Sequence, residues 1–246
     1  DKDTTVHCKA DIFEPAIPVV EVCGKTSVFT LVSTTDHSVD CGYRVYEYSY
    51  EVNDTSHTWK YTYYISPEDF TLPPFEDSTV KCLAHANTAG ITLPEVKDAC
   101  LNTLSPGVVS IDTSYNGCGG DLVFNYPYTD CAGHTHTWKF TYHIVLPDVI
   151  AGVPADDGTT KPCLVDVVRP TAANITDICG RTIIPVFLDS VADLHTDGTG
   201  TVTFRYKYTD CAHHDSIWTY TYTLVPGLFT PVDDSLKYVA CLSNVV

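Results

Sequence analysis

One hairpin sequence is written three times in this chain, and that recurrence limits its fold more than any other feature. In the fullest version Phe124, Tyr126 and Tyr128 alternate with polar residues, a turn follows, and Trp138, Phe140, Tyr142 and Ile144 alternate again. A strict period of two belongs to strands with one buried and one wet face. The pattern returns as Phe204–Tyr208 with Trp218–Leu224, and as Tyr46–Tyr50 with Trp59–Ile65. Trp59, Trp138 and Trp218 stand 79 and 80 residues apart. That period exceeds those of solenoid repeats and fits a string of small domains.

The expected organisation is all-β: tandem immunoglobulin-like β-sandwich modules, disulfide-bonded. Repeat 1 covers residues 1–68, repeat 2 covers 69–148, repeat 3 covers 149–227, and 228–246 supply the first strand of a truncated fourth. Pro- and acid-bearing joints separate the copies, as in Ser66–Pro74 and residues 146–158, and their prolines should stiffen the backbone. No long 3.6-residue apolar pattern with caps marks a helix. The three tryptophans open the last strand of each copy in phase with its aromatic ladder, so they read as core between sheets.

The formal charge of −17, from 31 acidic against 14 basic residues, argues against nucleic-acid partners and anionic lipid. No apolar run is long enough to insert in a membrane. The chain has no Met and shows no signal peptide, which reads as a mature fragment or a window of something longer.

Eleven cysteines at recurrent positions imply an oxidising, extracellular compartment. Without a CxxC pair, disulfides fit better than zinc. The first position is Cys8, Cys82 and Cys163, and the second is Cys23, Cys100 and Cys179. The third is Cys41 and Cys118, and the fourth is Cys131 and Cys211. Copy three has His195–Gly200 in the third place and copy one has Val52-Asn53 in the fourth. Cys118 and Cys131 flank one extended strand, about 40 Å apart, and cannot bond. In a sandwich the first and third positions share one pole, and the second and fourth share the other. The expected bonds are Cys82–Cys118 and Cys100–Cys131, and by analogy Cys8–Cys41 and Cys179–Cys211. Cys23, Cys163 and Cys241 are left over.

Tyr-Thr-Asp-Cys-Ala-Gly, followed by Trp-x-Phe/Tyr-Thr-Tyr-x-Ile and preceded by Asp-x-Cys, resembles the HYR-like repeats of giant surface proteins of Bacteroidota. The best-known carriers are gliding-motility adhesins exported by type 9 secretion. The resemblance implies an extended, non-enzymatic array on the bacterial cell surface, with neighbouring repeats as partners and surface polysaccharide or other cells as further candidates. Copy one departs from the pattern at Tyr50–Thr55. Proteins of that phylum carry O-linked sugar at Asp-Ser/Thr before a small or apolar residue. The resemblance therefore implies glycosylation candidates at Thr4, Ser78, Ser190, Ser216 and Ser235, where the bland reading is a turn that starts a strand.

Other chemistry is thinly supported. His134, His136, His213 and His214 lie at hairpin tips as metal candidates without a third matched ligand. Acidic pairs at the joints (Glu76-Asp77, Asp156-Asp157 and Asp233-Asp234) could gather oxygens around Ca²⁺, though no DxDxDG loop accompanies them. No nucleophile elbow, phosphate loop or HExxH helix appears, so no enzyme is expected. A sugar-binding face would need off-pattern tyrosines: Tyr43, Tyr64, Tyr115 or Tyr238. The expected function is a stalk or filament presenting an adhesin. The alternatives are modules that bind glycan or protein themselves, and a filament subunit that exchanges the strand at 235–246.

Overall fold

The computed structural model describes residues 1–39 and 41–225. The expectations for Asp233, Asp234, Ser235, Tyr238, Cys241 and the truncated fourth repeat lie outside those residues. The described chain holds three tandem sandwich-like repeats. It divides into two compact units, with the boundary between Leu146 and Pro147.

Each repeat uses six strands in the same order. Repeat 1 has β1 (Lys2–Val6), β2 (Glu21–Val22), β3 (Lys25–Thr26), β4 (Thr30–His37), β5 (Tyr43–Val52) and β6 (Thr55–Ile65). Repeat 2 has β7 (Glu76–Val80), β8 (Val96–Lys97), β9 (Thr103–Leu104), β10 (Ser110–Thr113), β11 (Gly120–Thr129) and β12 (Thr135–Ile144). Repeat 3 has β13 (Asp157–Lys161), β14 (Ile175–Thr176), β15 (Thr182–Ile183), β16 (Val186–Leu194), β17 (Gly200–Thr209) and β18 (Asp215–Leu224). The long aromatic hairpin forms the middle of a four-stranded sheet, ordered β1-β6-β5-β4 in repeat 1 and equivalently in the others. The first strand pairs parallel with the last, so Val6 lies beside Ile65 and Val80 beside Ile144. The rest of each repeat is a crossing segment and a two-stranded ribbon. The second layer is therefore much thinner than the first.

Alternation translates directly into packing. Tyr126 lies opposite Trp138, and Tyr206 opposite Trp218. In repeat 2, Phe124, Tyr126, Tyr128, Trp138, Phe140, Tyr142 and Ile144 are all buried in one cluster. Repeat 3 buries Tyr206, Tyr208 and Trp218 in one cluster and Val202, Tyr222 and Leu224 in another. Repeat 1 has a core of its own around Ile12, Tyr63 and Ile65. These are separate beads, each with its own interior.

The tryptophans differ in one respect. Trp138 and Trp218 are buried, whereas Trp59 is only partly covered. In repeats 2 and 3 the segment that enters the repeat reaches the indole. The indole N–H of Trp138 donates to the Pro74 carbonyl at 2.9 Å, and that of Trp218 to Ala155 at 3.0 Å.

Glycine holds the start of the central strand. An added Cβ at Gly42, Gly120 or Gly200 would stand 1.7, 2.7 or 2.2 Å from the backbone carbonyl oxygen of His37, Ser114 or Asp193. This close approach explains Gly42 after Cys41 in copy one, Gly120 two residues after Cys118 in copy two, and the terminal glycine of His195–Gly200 in copy three.

Candidate functional site: the cysteine poles

Each repeat has two poles, and local geometry assigns the cysteines to them. Cys8 follows the end of β1. Cys41 precedes Gly42, whose carbonyl accepts the N–H of Ile65 at the end of β6. Both therefore sit at the pole where β6 leaves repeat 1. Cys100 lies in the turn between β8 and β9, and Cys131 at the tip of the β11–β12 hairpin. Both sit at the opposite pole of repeat 2.

Buried aspartates shape the turns that present Cys100 and Cys131. Asp98 Oδ1 accepts the backbone N–H groups of Cys100 at 2.9 Å and Asn102 at 2.8 Å, and its other oxygen accepts the Asn102 amide. Asp130 Oδ1 accepts the His134 N–H at 2.9 Å, and Oδ2 meets His134 Nδ1 at 2.7 Å. Burial opposes ionisation of Asp130, but the hydrogen bonds from His134 and Ala132 outweigh it and hold the carboxyl below the usual range. The carboxylate in turn raises the pKa of His134. Repeat 3 repeats both devices: Asp177 holds the backbone of Cys179 and Arg181, and Asp210 holds His214.

The bonds cross from one repeat to the next. Cys8 bonds Cys100, with Cα atoms 5.5 Å apart, and Cys41 bonds Cys131, at 5.2 Å. The expected Cys8–Cys41 and Cys100–Cys131 bonds are corrected accordingly. Two cysteines that share a pole need not bond each other, because each can instead bond a cysteine facing it on the next repeat. Two bonds that cross a joint fix a repeat to its neighbour, which bonds within each bead would not do. Cys82, Cys118, Cys179 and Cys211 are also disulfide-bonded. Cys23 and Cys163 are free and exposed; Cys241 is not described.

The joint between repeats 1 and 2 also folds into repeat 2 rather than spacing it away. Phe70 is buried in that repeat's core. Asp69 Oδ1 lies 2.7 Å from His136 Nε2, and Phe70 meets the His136 ring edge-on. The segment entering repeat 3 does the same with Ile150, which is buried beside Trp218.

Remaining candidates are dispersed. His134 and His136 serve different carboxylates, Asp130 and Asp69, and His214 is held by Asp210. His213 occupies an exposed turn position at φ 66°. Asp156 accepts the N–H of Thr219 and Asp157 that of Gly158, while Glu76 and Asp77 are exposed. Among the described residues no three His, Cys, Asp or Glu side chains converge on a metal position. Ser190 is exposed on edge strand β16, while Thr4, Ser78 and Ser216 are half-buried. Tyr115 packs against the core of repeat 2. Tyr43 and Tyr64, in contrast, are exposed and paired across β5 and β6, with ring centroids 6.3 Å apart.

Copy one departs at the other pole for a visible reason. Its hairpin turns in two residues, Asn53 and Asp54, at φ 50° and 61°. Such a tight turn replaces the five-residue Asp130–His134 loop that carries Cys131.

No curated protein matches the sequence. Among solved structures, the first four cadherin domains of Drosophila N-cadherin are 7% identical, covering 91% of this chain and 73% of that one, with a TM-score of 0.28. Zebrafish RET cadherin-like domains 1 to 4 are 8% identical over 84% and 64%, with a TM-score of 0.27. The PcdhgB3 EC1-4 fragment is 11% identical over 79% of this chain, with a TM-score of 0.24, and the chain spans 58% of its length. The family model described as an HYR-like domain with 4 cysteines matches residues 1–65, 70–144 and 151–224. The chain belongs to the family of HYR-like domains with four cysteines, present here as three tandem copies.

Proposed function

We propose that this chain is a structural segment of an extracellular adhesive protein, a stalk that carries load and holds a binding element away from its anchor. The observation that carries the reading is the crossed pair Cys8–Cys100 and Cys41–Cys131. A binding module needs no covalent tie to its neighbour, whereas a load-bearing array gains from one. The resemblance of the Tyr-Thr-Asp-Cys-Ala-Gly hairpin to repeats of Bacteroidota surface proteins favours a bacterial surface as the setting, with gliding adhesins as one such context. Sugar on exposed Ser190 belongs to the same reading.

Single-molecule extension tests it. The 92-residue span between Cys8 and Cys100 is hidden behind a bond, so reductant should add at least about 30 nm of contour, at about 3.4 Å per residue. Equal extension with and without reductant would remove the load-bearing reading.

A second reading rests on Tyr43 and Tyr64, whose exposed rings could stack on sugar. Saturable binding on a glycan array, lost in Tyr43→Ala and Tyr64→Ala, would favour it.

A further inference from the structure

We propose that one row of side chains on the outward face of repeat 1, His37, Tyr43 and Tyr64 ending at Thr5, binds a single extended chain of a neutral, soluble polysaccharide, with one sugar unit over each ring. The proposal rests on the reading that the exposed Tyr43 and Tyr64 rings stack on sugar. It adds a third ring, a direction across the strands and a class of ligand.

Strand register builds the row. His37 on β4 lies opposite Tyr43 on β5, Tyr43 opposite Tyr64 on β6, and Tyr64 beside Thr5 on β1. Residues opposite one another share a face of the sheet, and this face is turned away from the core that holds Tyr63 and Ile65. The ring centroids stand 5.0 and 6.3 Å apart. Tyr43 is 39% exposed and Tyr64 47%, with repeat 2 in place at the same pole, and His37 is exposed beside them.

The other repeats show that the fold does not require rings there. The same row reads Ser114, Asp121, His143 and Thr79 in repeat 2, where Asp121 Oδ1 meets His143 Nδ1 at 2.7 Å. In repeat 3 it reads Asp193, Thr201, Thr223 and Thr160. Polar side chains serve this part of the sheet in both, so three adjoining rings in repeat 1 are an addition to the scaffold. Contiguous exposed apolar surface of that kind marks a binding face.

The surroundings select the ligand. Tyrosine offers a wide, rigid ring at little entropic cost, and the C–H face of a pyranose packs on it as other apolar groups do. Thr62 and Asp3 stand next along the same face, with oxygens to meet sugar hydroxyls. Glu47 on this face is matched by Lys60 at 3.4 Å, and no cation pairs with Asp3 among the described residues. With a formal charge of −17 on the chain, a uronic or sulfated polymer is repelled and a neutral one is not. Neighbouring ring planes turn by 46° and 54°. The flat face of a crystalline polysaccharide cannot lie on all three rings, whereas one twisting soluble chain can.

Affinity electrophoresis of the full chain through gels containing soluble linear β-glucan, xylan or mannan tests the proposal, with alginate as the anionic control. Retardation by at least one neutral polymer and none by alginate is expected. Calorimetry with oligosaccharides of the retarding polymer should show affinity rising up to three or four units and then levelling. Tyr43→Ala and Tyr64→Ala should each weaken binding by about tenfold, and His37→Ala by about threefold, as removal of a central aromatic contact does. The double exchange Tyr43→Asp with Tyr64→His, which installs the pair that repeat 2 already carries, should abolish binding and keep the circular dichroism melt. No retardation by any of the three neutral polymers, or binding unmoved by that exchange, would overturn the proposal. Self-association of the chain that the exchange removes, in place of retardation, would assign the row to a second copy and equally overturn it. Binding that needs both tyrosines but is complete with a single sugar, ignores His37→Ala or belongs to alginate would overturn the row while leaving the stacking reading of the two tyrosines intact.

Discussion

Asp130 and His134 show how much one charged pair decides at a pole. Asp130 is buried and keeps its proton off through the hydrogen bonds of the turn it organises, and His134 holds its proton longer because of that carboxylate. The raised histidine stabilises the fold fully below the unfolded value of about 6.5 and stops doing so as pH rises through its folded value. The lowered aspartate stabilises above about 3.9 and fails as pH falls through its own folded value. The melting-temperature difference between wild type and His134→Gln should therefore be largest near pH 5 and shrink by pH 9; a pH-independent difference would remove the pair from the account. Tyr128 and Tyr208 form a second test. The Tyr208 hydroxyl donates to the Ala173 carbonyl at 2.8 Å, whereas the buried Tyr128 hydroxyl has no partner among the described residues. Tyr128→Phe should gain about 1–2 kcal/mol in denaturant melts, because an unpaired buried hydroxyl costs that much, and Tyr208→Phe should lose about 1 kcal/mol. Sequence alternation locates both rings, but it carries no information about where a hydroxyl finds a carbonyl.

At the scale of elements, the aromatic hairpin is legible because its period is local. Each of β5, β6, β11, β12, β17 and β18 falls where the alternation lies. The short ribbons and the crossing segments are not legible, since two-residue strands have no period to read. The joints follow the sequence only in part. Prolines in Ser66–Pro74 suggest a stiff spacer, yet Phe70 is buried in repeat 2 and Pro74 caps the Trp138 indole. Phe70→Ala should therefore destabilise repeat 2 by about 3–5 kcal/mol, the usual range for a buried aromatic. Circular dichroism of the full chain in urea would show it, and a loss below about 1 kcal/mol would return the segment to the status of a linker. The edges are also beyond a sequence reading. Strands β4 and β16 each carry a register shift, at Leu31/Ser33 and Phe187/Asp189. Bulges of that kind bend an edge away from a flat partner and discourage accidental pairing. They weigh against filament growth through those two edges.

For the whole molecule the disulfides are the point at which sequence reasoning stops short. Strand length rules out Cys118–Cys131 and sorts the cysteines onto poles, but nothing in one repeat says whether a pole closes on itself or on its neighbour. The consequence is a dependence of repeat 1 on repeat 2. Among the described residues the main buried cluster of repeat 2 has ten members and that of repeat 1 has three, with Tyr48 buried apart from it and Trp59 partly open. A bead with so little interior gains most from covalent restraint, and a loop of 92 residues contributes about 4–5 kcal/mol in the chain-entropy model. Replacing Cys8, Cys41, Cys100 and Cys131 together by serine should split one unfolding event into two. Hydrogen exchange followed by mass spectrometry should then show residues 1–65 losing protection first, while the β11–β12 hairpin keeps its own. If both repeats still lose protection together, their coupling comes from packing at the joint, and the crossed bonds are secondary to it.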